Sequence, residues 1–139
     1  MVTEPSSKEP VVIGLLAGEP SGDLLGAGLM TALRAMLQDR EVTFMGVGGA
    51  RMQAAGLICL ADFETLSVNG FREPILRLPQ LYRLYRELST TLVEARIDAF
   101  VGIDFNVFNF ILEARLKRQG IPTAHYVSPS VYAWRRGRT

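Results

Sequence analysis

"VVIGLLAGEPSGDLLGAG", residues 11 to 28, decides how the rest of the chain is read. Its first seven residues form a continuous apolar run rich in β-branched side chains. Such a run suits a strand buried on both faces, as in a parallel sheet. It breaks into "GEPSGD", where Gly18 and Gly22 flank Glu19 and Ser21 and Asp23 follows. Leu25, Leu29, Ala32, Leu33 and Met36 then recur at helical spacing. A buried strand feeding a helix through a glycine-rich loop is the opening unit of an α/β fold.

The pattern repeats down the chain. Strands are expected at 42–49, 57–61, 97–103 and 122–128. Helices are expected at 50–56, at 74–96 with Pro79 near its start, and at 106–120 with Gly120 closing it. Strands alternating with helices predict a doubly wound parallel sheet, Rossmann-like, in spatial order 3-2-1-4-5. In that order strands 1 and 4 meet at the switch point, and ligands sit beyond their carboxyl ends. "AGEPSGD", Asp104 and "SPS" (128–130) are then expected to converge on one cleft.

Composition narrows the class. Of the 139 residues, 48% are hydrophobic and 21% charged, a globular rather than a disordered balance. A net charge of +1 provides no global field for nucleic acid. Cys59 is the only cysteine, so no internal disulfide forms, which fits a reducing compartment. Its apolar surroundings predict core packing. Residues 1–10 are polar and acidic, unlike the start of a signal peptide, and read as a disordered leader. No stretch is long and apolar enough to read as a transmembrane segment. After residue 128 no helix is expected to cover the last strand.

Each candidate feature has two readings. The "AGEPSGD" loop has neither P-loop nor GxGxxG spacing, but it leads into a helix N-terminus, which favours an anion or a hydroxyl-rich ligand. Alternatively Ser21 caps the helix and the glycines only make the turn. Asp104, at the end of a buried strand, suits a general base or a sugar-hydroxyl ligand; the other reading is a helix cap. His125 is the only histidine, and a lone histidine in a strand is more often a satisfied core residue than a catalyst. Nothing in the pattern makes a metal site. On helix 74–96, Ile75, Leu78, Leu81, Tyr82, Tyr85 and Leu88 form a stripe that suits a core. The interleaved Arg72, Arg77, Arg83 and Arg86 suit a membrane interface.

Together, "AGEPSGDLLGAGL", "GVGGARMQAAG" (46–56), "LSVNGFREPILRLPQL" (66–81), "VGID" (101–104) and "HYVSPSVYAWR" (125–135) resemble lipid-A-disaccharide synthase, a bacterial glycosyltransferase family. The resemblance covers residues 11–139 and corresponds to the N-terminal part only. It implies the acceptor-side half of a glycosyltransferase-B architecture, with a C-terminal, donor-binding domain outside this sequence. It implies inverting transfer of 2,3-diacylglucosamine from UDP to 2,3-diacylglucosamine 1-phosphate, without metal or cofactor. The place is the cytoplasmic face of the inner membrane. Asp104 falls at the catalytic position, and Ile75, Leu78 and Leu81 fall on the membrane-facing patch. The candidate substrate-binding set is Gly18, Glu19, Ser21, Gly22, Asp23, Asn109, Ser128 and Ser130. Departures from the family pattern are Asn106 and Val107 after Asp104, Asn69, Pro74 and Tyr132. A competing reading is a stand-alone domain that binds a sugar phosphate or nucleotide without chemistry.

Overall fold

The computed structural model describes residues 9–61, 74–103 and 107–126, with residues 74–78, 80, 81 and 107 described by backbone alone. Strands β1 (Val11–Ala17), β2 (Val42–Val47), β3 (Ile58–Cys59), β4 (Ala99–Ile103) and β5 (Thr123–Tyr126) alternate with helices α1 (Pro20–Met36), α2 (Ala50–Ala54), α3 (Pro74–Glu94) and α4 (Val107–Arg118). All five strands are parallel, in the order β3-β2-β1-β4-β5. This is the doubly wound, Rossmann-like sheet that the alternating pattern predicts.

Strand β1 shows why the order holds. Its side chains alternate between two cores, as a period of two requires. Ile13, Leu15 and Ala17 join Met30 of α1, Met52 of α2, Phe44 and Ile103 on one face. Leu16 joins Leu88 and Leu92 of α3 and Leu112 and Leu116 of α4 on the other. A strand wrapped on both faces must be central, and β2 and β4 flank it. Asp98 fixes its start: the carboxylate accepts the Val12 N–H at 2.8 Å, and the Asp98 N–H returns a bond to the Val12 carbonyl.

Three expectations are corrected. The third strand was expected over 57–61, but only Ile58 and Cys59 pair with β2. Leu57 instead turns into the core, and its N–H closes α2 on the Met52 carbonyl. Such a short strand at the sheet edge buries little. Cys59 is therefore exposed rather than packed in the core. The stripe on α3 divides along its length. Leu88 is buried and Tyr85 half-buried, whereas Tyr82 is 61% exposed, with Arg86 over its ring.

Candidate functional site at the C-terminal edge of the sheet

Register places the ends of three strands in one row. Ala17 of β1 pairs with Ile103 of β4, and Ile103 pairs with Tyr126 of β5. The loop at 18–19, residue 104 and residue 127 each follow directly from this row. Asp104, Ser128 and Ser130 themselves lie outside the described residues. The side chains of Ile75, Leu78 and Leu81 also lie outside the description, although their backbone belongs to α3.

The loop enters α1 with its first amides uncapped by any side chain. Glu19 is the N-cap residue in extended conformation, Pro20 starts the helix, and no side-chain cap bond is made. The Glu19 carbonyl accepts the Asp23 N–H at 2.9 Å. The capping alternative for Ser21 therefore does not hold: Ser21 lies inside the first turn, exposed. Gly18 and Gly22 are buried and Glu19 is half-buried. The N–H groups of a first turn and the positive end of the helix dipole together favour an anionic group.

Asp23 has a different place from the one expected. It is 6% exposed, and its carboxylate receives three backbone N–H bonds from the second glycine motif. Gly49 and Met52 donate to Oδ1 at 2.8 and 3.0 Å, and Arg51 donates to Oδ2 at 3.0 Å. These are donors at the start of α2, so Asp23 caps α2 from across the sheet edge. Its oxygens hold the loop against the start of α2. The motif is shaped for this contact: a Cβ on Gly49 would sit 2.7 Å from the Asp23 carboxylate. A Cβ on Gly26 would sit 2.5 Å from the Met52 sulfur, so Gly26 lets α1 and α2 close together. The two sequence motifs are one structural unit.

Asn109 is likewise tied into the fold. Its side chain is fully buried, and Nδ2 donates to the Leu16 carbonyl at 3.2 Å and the Ile103 carbonyl at 2.9 Å. It ties β1 to β4 beneath the row of strand ends. His125 is partnered, as a lone strand histidine usually is. Its Nδ1 lies 2.6 Å from Glu113 Oε2, and its ring stacks on Phe110. The sequence reading did not single out Glu113. Its spacing of four from Asn109 puts both on one helix face, and that was the available signal.

Among the described residues, no helix is long and apolar enough to cross a membrane. Also among them, no three His, Cys, Asp or Glu side chains gather as a metal site.

Residues 13–139 match the sequence profile of the family described as Lipid-A-disaccharide synthetase. A lipid-A-disaccharide synthase of Sodalis glossinidius is 54% identical over 132 residues, 95% of this chain and 34% of that protein. One from Chromobacterium violaceum is 50% identical over 131 residues, 94% of this chain and 33% of that protein. One from Methylobacillus flagellatus is 48% identical over 126 residues, 91% and 33% respectively. The chain thus spans about a third of the length of the curated relatives it matches.

Proposed function

The chain belongs to the lipid-A-disaccharide synthetase family, and from that membership we propose that it forms the acceptor-side part of an inverting glycosyltransferase. The reaction assigned to the whole protein moves 2,3-diacylglucosamine from UDP to 2,3-diacylglucosamine 1-phosphate. The observation that carries this reading is the row Ala17, Ile103, Tyr126. It brings the origins of the 18–23 loop, of residue 104 and of the 127–130 stretch to one edge at the switch point, where ligands of such sheets bind.

In this reading the acceptor hydroxyl attacks the anomeric carbon of the donor. The bond to UDP breaks, UDP leaves as an anion, and the hydroxyl proton passes to the Asp104 carboxylate. Glu19, Ser21 and the first amides of α1 hold the substrate, and Ser128 and Ser130 are further candidates for binding it. Asp23 and Asn109 contribute through the backbone they fix. The start of α3, with Ile75, Leu78 and Leu81, rests on the cytoplasmic face of the inner membrane. A further domain, matching the remaining two-thirds of the relatives, supplies the donor pocket.

Donor and acceptor must be held together for transfer, and proximity supplies a large part of such rates. Residues 1–139 alone are therefore expected to form no disaccharide. A chimera in which they replace the matching third of the Sodalis glossinidius relative is expected to form it from both substrates. An inactive, folded chimera refutes the reading. Activity in residues 1–139 alone refutes the need for a second domain.

A further inference from the structure

The inner face of α4 meets the sheet through Leu112 and Leu116, yet it carries two polar residues one turn apart. Asn109 binds the carbonyls of Leu16 on β1 and Ile103 on β4. Glu113 binds His125 on β5. One helix is thus tied to three neighbouring strands. Each tie falls at, or one residue before, the row Ala17, Ile103, Tyr126.

The sheet is cut to admit these ties. Gly102 stands opposite His125 in register, and a Cβ there would run into the Glu113 carboxylate and lie 3.0 Å from Asn109 Cγ. The His125 ring lies parallel to Phe110, with centroids 4.6 Å apart. Its Nε2 is buried.

Stability alone does not account for this arrangement. The Glu113–His125 contact is only half-buried, with side chains 14% and 19% exposed, and a hydrogen bond of that kind contributes modestly to stability. Asn109 Oδ1 is buried with no hydrogen bond among the described residues. What hydrogen bonds add to an apolar contact is direction, because they weaken steeply off their preferred geometry.

We propose that Asn109, Glu113 and His125 are positioning residues that fix the first two turns of α4 against the C-terminal row of β1, β4 and β5. The ends of β1, β4 and β5 are then held in one arrangement beneath α4. The inference rests on the function proposed above, because the strand ends it holds are those after which the 18–22 loop, residue 104 and residue 127 follow in sequence.

The test uses the active chimera and compares stability with turnover. Glu113→Leu leaves the imidazole without its carboxylate and lowers Tm. Glu113→Leu with His125→Leu removes both partners and restores Tm to within a few degrees. If the pair sets position, the double variant still loses at least about tenfold in kcat with KM nearly unchanged, since small misplacements near the chemistry are costly. Glu113→Gln keeps the length and a hydrogen bond to Nδ1, so kcat and Tm stay near the parent's. Should the double variant not fold, Glu113→Ala assayed well below its Tm takes its place, with the same kcat loss expected. Parent-like kcat in the double variant, or in Glu113→Ala, overturns the inference. So does a tenfold kcat loss in Glu113→Gln at unchanged Tm, which would point to charge rather than position. An inactive parent chimera refutes the functional reading and this inference with it.

Discussion

Asp23→Ala removes the acceptor shared by three amides at the start of α2. Two of those bonds are buried and the third is partly so. Hydrogen bonds to charged groups contribute about 1.5–3 kcal/mol each. Their plain sum overstates the loss, because α2 is only five residues long and can fray to admit water. We expect a cost of about 3–4 kcal/mol, a large share of the 5–15 kcal/mol typical of a domain. For a chain of this length that corresponds to a fall of roughly 10 °C in Tm. Asp23→Asn is milder, at about 1.5–3 kcal/mol, because one oxygen remains for Gly49 and Met52 while an NH2 group faces the Arg51 N–H. Urea unfolding of the chain measures both. Hydrogen exchange at residues 49, 51 and 52 should accelerate well beyond that of β1. A cost below about 1 kcal/mol for Asp23→Ala, or unchanged exchange at those three amides, would refute the capping role.

Two further outcomes separate core from surface on α3. Leu92→Ala should cost about 2–5 kcal/mol, because Leu92 is fully buried, whereas the exposed Tyr82→Ala should change stability by no more than about 0.5 kcal/mol; urea unfolding distinguishes them. Changing Ile75, Leu78 and Leu81 together to Ser should weaken binding to anionic lipid vesicles and leave Tm within a few degrees. A large fall in Tm with unchanged vesicle binding would place that stretch in the core instead.

The sheet was legible because its central strands carry their burial in sequence. The run Val11–Ala17 is apolar throughout, and its length matches the observed strand. The edge was not legible in the same way. "LICLA" reads as a strand, but Leu57 serves the closure of α2, only Ile58 and Cys59 join the ladder, and Leu60 adds a single N–H bond to the Gly46 carbonyl. The site divides similarly. That the ends of β1, β4 and β5 share an edge followed from strand order alone. What Asp23 and Asn109 do did not follow, because their partners lie far away in sequence: Gly49 is 26 residues from Asp23, and Leu16 is 93 residues from Asn109. A carboxylate in a glycine-rich loop looks the same on paper whether it faces a ligand or a second helix. The Glu113–His125 pair likewise needs the β4–β5 register to be seen, since only that register sets His125 beside Gly102 and beneath Glu113.

The central claim is that Asp104 takes the acceptor's proton at the edge defined by Ala17, Ile103 and Tyr126, and turnover of Asp104→Asn in the chimera tests it most directly. Asn keeps the shape and the capacity to cap a helix but does not accept the proton. The account predicts a loss of at least about 100-fold in kcat, within the range general-base catalysis contributes, with Tm within a few degrees of the parent. Turnover near the parent's would contradict it and return Asp104 to a capping role.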